Sequence, residues 1–195
     1  IAEDPGVLFP VMVHMDGFHV SHVVEPYMMF EKEELGDFIP PLNYPFPLDP
    51  NRPVSMGAFA PPAVYSECRK SQDVAINDSY ATIVNVWKEF GKRFGRQYNP
   101  IETYKAEDAD TLLVAIGSFN QMAAVAVDKL RSEGRKVGLA RIRLWRPFPL
   151  KAFRDAVKTA KNIIVFERSM TYGGTVGPVC AEVKSALYGV KNAPR

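Results

Sequence analysis

The sequence has few of the residues on which disulfide frameworks, metal sites and membrane anchors depend. Its 195 residues include only two cysteines, Cys68 and Cys180, and three histidines. Two distant cysteines form neither a disulfide framework nor a metal site, so we expect a reducing compartment. No apolar run has the length of about 20 residues that a membrane-spanning helix needs. No basic segment precedes an apolar one near the start, as it would in a signal peptide. These absences predict a cytoplasmic protein without a membrane anchor.

An excess of charge is also lacking. The 24 basic and 22 acidic residues leave a formal charge of +2, and they are interspersed, so nucleic acid is not an expected partner. An apolar fraction of 47% and a charged fraction of 24% are typical of a soluble globular protein. A chain of this length can bury a substantial core in one large or two small domains.

The best-defined pattern lies in the second half of the chain. Residues 112–116 are a short apolar run that ends at Gly117-Ser118, which is typical of a strand buried in a parallel sheet. The same reasoning continues the pattern with a helix at 120–131, a strand at 136–145, a helix at 150–160, a buried strand at 162–166 and a helix at 179–187. A βαβαβ unit follows from this order. We therefore predict an α/β fold with an open, mostly parallel sheet flanked by helices over residues 101–195.

The first hundred residues predict a different organisation. Residues 7–15 indicate a strand that is apolar on both faces and needs sheet neighbours, which nothing nearby supplies. We therefore expect residues 1–100 to be the C-terminal part of a domain whose front half precedes residue 1. Residues 30–62 are rich in proline and predict an extended arm that lies against a neighbouring surface. Residues 71–94 predict one long helix with an aromatic core stripe, and residues 96–109 predict a polar bridge between the two domains.

The three histidines form one group of candidate site residues. His14, His19 and His22 fall within nine residues, after a predicted strand where α/β folds place ligands. They could form a metal or acid/base site. Alternatively, His14 is a hydrogen-bonded residue at the end of the strand, and the other two lie on a loop. Neither His-x₃-His nor His-Glu-x-x-His spacing is present, so we predict no metal site.

A glycine-rich turn forms the second group of candidates. Gly173, Gly174 and Gly177 follow the last predicted strand and could form a backbone cradle for an anion. Their spacing matches neither the dinucleotide fingerprint nor the phosphate loop, and a tight turn into the next helix explains them equally well. Gly117-Ser118 leaves the same two alternatives open. No serine elbow or cysteine–histidine pair occurs, so no catalytic residue is predicted.

Five segments, in the same order along the chain, resemble the 2-oxoacid:ferredoxin oxidoreductases. They are residues 10–22, similar to PVMV-x-x-DGF-x-x-SH; 95–98, similar to GR-x-Y; 109–118, similar to A-[DE]-x-x-[IL]-V-x-x-GS; 138–149, similar to G-x-x-R-x-R-x-x-RPFP; and 163–183, similar to V-x-[DE]R…G-x-x-GP…EV. The resemblance covers nearly the whole chain. It is nearest to the second half of the alpha chain of pyruvate:ferredoxin oxidoreductase.

The resemblance implies a role within a larger enzyme. Residues 1–100 would be the C-terminal part of the domain that binds the pyrimidine of thiamine diphosphate, and residues 101–195 a transketolase-C-terminal-like domain. The parent enzyme converts pyruvate to acyl-coenzyme A and CO₂ and reduces ferredoxin. Its thiamine diphosphate, Mg²⁺ and [4Fe-4S] clusters would be bound by other domains or by beta, gamma and delta subunits of an oligomer. This chain would then be structural and inactive alone.

Three readings of the function are therefore open. The first is the enzyme segment just described, with pyruvate as the expected oxoacid and 2-oxoisovalerate and 2-oxoglutarate as alternatives. The second is a free-standing α/β module that binds phosphate at residues 173–177. The third is a docking domain whose proline-rich arm holds a partner.

Overall fold

The structure is a computed structural model, and it describes residues 1–57 and 59–195. The chain divides into two units, which are described separately below. Unit 1 comprises Ile1–Val13 and Val23–Val86, and unit 2 comprises His14–His22 and Trp87–Arg195.

Unit 2 is built on a four-stranded sheet. Its strands are β1 (Ile101–Tyr104), β2 (Thr111–Ile116), β3 (Val137–Ile142) and β4 (Asn162–Phe166), in the order β1-β3-β2-β4. The pairs β2–β3 and β2–β4 are parallel, and β1 pairs with β3 antiparallel. The predicted open, mostly parallel sheet is thus confirmed.

Three helices accompany the strands of unit 2. They are α3 (Phe119–Ser132), α4 (Leu150–Val157) and α5 (Pro178–Leu187), numbered after the two helices of the first half described below. The larger core joins the sheet to α4 and α5 and contains Leu112, Phe153 and Val183; the smaller core joins Leu139 to Val127 of α3. Burial of each such leucine or phenylalanine contributes about 1.5–3 kcal/mol, so both faces of the sheet stabilise unit 2.

Two predictions about this sheet were wrong. The predicted polar bridge at 96–109 contains β1, whose sequence of two polar and two apolar residues is too short for a recognisable pattern. The last strand, β4, is also predicted to be buried, but its residues Ile164 and Phe166 are 52% and 50% exposed. As the outermost strand next to β2, β4 has one face that its neighbours leave largely uncovered.

The first half contains helices but no strand among its described residues. The helices are α1 (Lys32–Leu35), a 3₁₀ turn at Gly36–Phe38 and α2 (Pro62–Phe94), which continues into unit 2. The predicted strand at 7–15 does not form: Val11, Met12 and Val13 are exposed, and no segment of residues 1–57 or 59–195 pairs with them. A strand needs a hydrogen-bonded neighbour, and the described part of unit 1 supplies none.

The proline-rich arm and the long helix also differ from the prediction. The proline-rich arm is not wholly extended, because the short stretch from Lys32 to Phe38 lacks proline and forms one helical turn and a 3₁₀ turn. The long helix begins at Pro62 rather than at residue 71, since proline is well tolerated in the first turn.

None of the helices in the described part of the chain combines the length and the apolar character that crossing a bilayer requires.

Candidate functional site

Polar side chains follow two neighbouring parallel strands of unit 2 at their carboxyl ends. Ser118 comes two residues after β2, next to Gly117, whose φ of +75° favours glycine. Arg168 comes two residues after β4. Because the carboxyl ends of parallel strands meet at one edge of a sheet, this edge is where open α/β folds bind ligands.

The loop His14–His22 contributes a carboxylate to this edge. Asp16 Oδ2 accepts hydrogen bonds from Ser118 Oγ at 2.9 Å and from Arg168 Nη1 at 3.1 Å. Its Oδ1 accepts the backbone N–H groups of Phe18 at 3.0 Å and His19 at 2.8 Å. We call Asp16, Ser118 and Arg168 the sheet-edge cluster. It joins three segments that are distant in sequence.

The cluster fixes Asp16 in its ionised form. The N–H groups of Phe18 and His19, then the Ser118 hydroxyl and the charge of Arg168, lower the pKa of Asp16 from 3.8 to about 2. The side chain is only 10% exposed. A carboxylate with so low a pKa is a poor general base near neutral pH. Asp16 therefore positions the loop, and nothing in the geometry makes it a proton-transfer group.

Ser118, the donor of one of these hydrogen bonds to Asp16, also has a positioning role. It is the N-cap residue of α3, where a serine oxygen ordinarily accepts a backbone N–H of the first turn. Its hydroxyl makes no such cap and donates to Asp16 instead. The start of α3 is thereby tied to the loop.

Aromatic rings complete the edge around Arg168. The guanidinium carbon lies 5.6 Å from the centre of the Phe119 ring, which is 4.9 Å from the Phe166 ring. Within the loop, the Phe18 ring stacks on His22 at 4.9 Å, and Ser21 Oγ lies 2.9 Å from His22 Nδ1. The loop is thus ordered by its own contacts as well as by the cluster.

The structure does not bring the three histidines together as a ligand set. His14 is exposed, and the described residues contain no group of three or more His, Cys, Asp or Glu side chains that could hold a metal ion. His19 contributes its backbone N–H to Asp16. His22 packs on Phe18. The histidine-rich loop contributes to the edge chiefly through Asp16.

Of the three glycines in the predicted cradle, Gly177 packs against a carboxylate of the protein itself, that of Glu167. Glu167 Oε2 and Oε1 accept the N–H groups of Val179 and Cys180, each at 2.9 Å, and so cap the start of α5. A Cβ on Gly177 would collide with the Glu167 carboxyl group and lie 2.6 Å from the Ser169 carbonyl oxygen. Close packing against Glu167 therefore accounts for Gly177 without a phosphate.

The other two glycines form a turn. Gly173 has φ of +72°, and the Gly174 N–H donates to the Thr171 carbonyl at 2.9 Å. A Cβ on Gly174 would lie 2.6 Å from Thr171 Cγ2. Backbone conformation and packing explain both residues.

Comparison with known proteins connects this arrangement to a family. Residues 109–194 match the model of pyruvate:ferredoxin oxidoreductase core domain II. Nearly the whole chain, 96% of it, is 36% identical over 187 residues to pyruvate synthase subunit PorA of Methanothermobacter thermautotrophicus. Residues 109–194 therefore form a domain of the pyruvate:ferredoxin oxidoreductase family, and the chain as a whole is similar to pyruvate synthase subunits. It spans about half the length of the curated relatives it matches, with 49% of that PorA covered.

Two further relatives extend the comparison. Ketoisovalerate oxidoreductase subunit VorA of Pyrococcus horikoshii is 39% identical over 184 residues, which cover 93% of this chain and 46% of the relative. A solved structure of 2-oxoglutarate:ferredoxin oxidoreductase from Magnetococcus marinus is similar over 70% of this chain and 21% of that one, with 20% identity and a TM-score of 0.46.

The cofactors associated with the oxidoreductase family do not fit the residues of this chain. A [4Fe-4S] cluster needs four thiolates, and the sequence has two cysteines, of which Cys68 is exposed and Cys180 partly buried. The described residues also lack a cluster of carboxylates or histidines for the Mg²⁺ of thiamine diphosphate. The donor groups of this chain therefore give no basis for assigning a reaction step to its side chains.

Sequence reasoning missed the residues that organise the edge. Asp16, Glu167 and Arg168 figure in the sequence analysis only as positions within two of the five motifs. One signal was available: Glu167 and Arg168 directly follow a strand, at the position where open α/β sheets present functional groups. The partnership with Asp16 carried no local signal, because 152 residues separate it from Arg168.

Proposed function

We propose that this chain is part of the alpha subunit of a 2-oxoacid:ferredoxin oxidoreductase. The complete enzyme decarboxylates pyruvate oxidatively, transfers the acyl group to coenzyme A and reduces ferredoxin. The observation that carries the proposal is the 36% identity to a pyruvate synthase subunit across 96% of the chain.

Within that enzyme the chain serves assembly rather than chemistry. The sheet-edge cluster supports this role, because its carboxylate is committed to four hydrogen bonds that hold the loop His14–His22 against the ends of β2 and β4. Residues 101–195 would be the transketolase-C-terminal-like domain, and residues 1–100 the C-terminal part of the pyrimidine-binding domain. Thiamine diphosphate, Mg²⁺ and the [4Fe-4S] clusters would be bound elsewhere in the assembly.

The proposed partners and substrate follow from the same family. Beta, gamma and delta subunits or equivalent domains would surround the chain in the cytoplasm, and ferredoxin would accept the electrons of the complex. Pyruvate is the first oxoacid to test. 2-Oxoisovalerate is the second, since the relative named for ketoisovalerate is as similar to this chain as the one named for pyruvate.

The test is purification of the native complex through an affinity tag on the subunit that contains this sequence. We expect the tagged subunit to carry other oxidoreductase subunits with it, and the complex to reduce ferredoxin when a 2-oxoacid and coenzyme A are both present. Mass spectrometry identifies the partners, and the reduction rate with each of the three oxoacids identifies the substrate.

A matched control removes coenzyme A or the oxoacid from the assay. A tagged subunit that is purified without partners, in a preparation that reduces ferredoxin with none of the oxoacids, would contradict the proposal. The phosphate-binding alternative is not favoured, because Glu167 already occupies the N–H groups at the start of α5.

A further inference from the structure

A cavity of about 460 Å³ lies beside the edge strand β1 in unit 2. Its walls come from the segment that leads into and forms β1 and from the end of β3: Gln97, Tyr98, Asn99, Ile101, Glu102, Thr103, Tyr104, Arg141 and Arg143. The volume falls in the range of about 300–1,000 Å³ that is usual for small-molecule sites. None of these residues belongs to the sheet-edge cluster.

One of the two arginines in the cavity wall is fully committed. Arg143 donates from Nε to Glu102 Oε1 at 2.8 Å and from Nη2 to Oε2 at 3.0 Å. Its guanidinium carbon also lies 4.6 Å from the centre of the Tyr98 ring. A bidentate pair of this kind has a fixed geometry, so Glu102 and Arg143 form a rigid, neutral part of the wall.

The second arginine has no such counter-ion. The antiparallel register places Glu102 opposite Arg141, but both oxygens of that carboxylate bind Arg143. Arg141 Nε is buried and has no hydrogen-bond partner among the described residues. Asp128, the carboxylate that accepts the Tyr104 hydroxyl, also binds Lys105.

This arrangement leaves a positive charge in the cavity. Two arginines face one glutamate in its lining, and a buried donor without an acceptor is costly. The Arg141 guanidinium carbon lies 5.5 Å from the centre of the Tyr104 ring, a contact that supports the side chain but accepts no N–H hydrogen bond. An oxyanion in the cavity would balance this charge and accept hydrogen bonds from the guanidinium group.

We propose that this cavity binds a small molecule through a carboxylate or phosphate group held by Arg141. The planar guanidinium presents parallel N–H donors that match two oxygens of either group. This binding site goes beyond the proposed reaction, because no step of that reaction has been assigned to residues of the cavity.

The experiment is an NMR titration of the full chain with inorganic phosphate and, separately, with acetate, at constant ionic strength. Two kinds of signal are followed. The arginine Nε–H signals, among which Arg141→Lys identifies that of Arg141, report contact with this side chain, and the backbone N–H signals of β1 in the cavity wall report the affinity of every variant. We expect at least one anion to shift that signal in a saturable manner. Arg141→Gln should weaken the binding by a factor of about ten or more, since it removes the charged donor of the hydrogen bonds. Arg141→Lys keeps the charge and should weaken it less.

Lys151→Gln is the matched control, because it removes one positive charge from a side chain that is 96% exposed on α4. Its affinity for the anion should equal that of the wild type. Saturation by phosphate alone identifies a phosphate-bearing ligand, and saturation by acetate alone a carboxylate. If neither anion shifts the Arg141 signal, or if Arg141→Gln binds as tightly as Lys151→Gln, the proposal is wrong.

Discussion

The Asp16 carboxylate shows how one residue can link three parts of a fold. Two of its hydrogen bonds are local, to the N–H groups of Phe18 and His19, and two are distant, to Ser118 and Arg168. The local bonds turn the loop, and the distant bonds attach it to the sheet. All four require acceptor oxygens, and all four come from donors that remain protonated at any pH where the protein folds.

A pH dependence follows from the low pKa of Asp16. The pKa is lowered from 3.8 to about 2, so ionised Asp16 stabilises the folded chain fully above pH 3.8, and this contribution is lost as the pH falls to about 2. Asp16→Asn should therefore have a lower unfolding temperature than the wild type at pH 6, and the difference should shrink below pH 4. Thermal unfolding followed by circular dichroism between pH 2 and pH 7 measures it.

Asp78→Asn provides the comparison, because Asp78 is an exposed carboxylate on α2. We expect its unfolding temperature to follow that of the wild type over the same pH range. A constant difference between wild type and Asp16→Asn at every pH would contradict the assignment, since it would show that ionisation of Asp16 is not linked to folding.

Gly177 offers a second prediction at the scale of one residue. Its added Cβ would collide with the Glu167 carboxyl group and approach the Ser169 carbonyl oxygen to 2.6 Å. Gly177→Ala should therefore reduce the free energy of unfolding by about 1–3 kcal/mol, the usual cost of overpacking. Urea unfolding of unit 2 measures the change.

Gly17→Ala is the matched control, because a Cβ at Gly17 would have no atom within 4 Å. Its free energy of unfolding should stay close to that of the wild type. Equal losses in the two variants would mean that glycine is needed for chain flexibility and not for the packing of Glu167 against the start of α5.

At the scale of elements, the sequence predicted what depends on local pattern. The continuous apolar run of β2 and the helical apolar spacing of α3 and α4 match their structures, and Gly117 and Gly134 follow the ends of β2 and α3. β1 is not predicted from the sequence. Its four residues are too few to show the alternation of apolar and polar side chains that is typical of a strand, and its pairing with β3 is a long-range contact. The exposure of β4 is not predicted either, because an apolar run does not indicate which strand lies at the edge of a sheet.

The candidate site likewise has residues that the sequence locates and contacts that it does not. The glycine turn and Gly117-Ser118 were located correctly from the sequence, since they directly follow predicted strands. Their partners were not: Asp16 reaches Ser118 across 102 residues, and Glu167 reaches the start of α5 only because of a turn whose shape the sequence did not reveal. Hydrogen bonds between distant segments depend on the packed fold and leave no local pattern.

At the scale of the whole chain, apolar side chains are distributed unevenly between the two units. In unit 1, Met12, Val24 and Leu48 are 81%, 100% and 100% exposed. In unit 2, Leu112, Leu139 and Phe153 are completely buried. Unit 1 outside α2 therefore has little core to resist local opening, and its exposed apolar residues would favour association with other surfaces.

Limited proteolysis of the chain tests this contrast. Thermolysin cuts beside large apolar residues in accessible backbone, so the first cuts should fall within residues 8–13 or 23–57 of unit 1, and a fragment that contains residues 101–195 should persist. Mass spectrometry of a time course identifies the cuts. When the Gly177→Ala variant is digested, the same fragment should have a shorter lifetime and the first cuts should be unchanged, because the substitution lowers the stability of unit 2 only. A first half as resistant as the second would contradict the prediction. It would mean that contacts formed in solution, such as self-association of the exposed apolar side chains, protect these segments of unit 1.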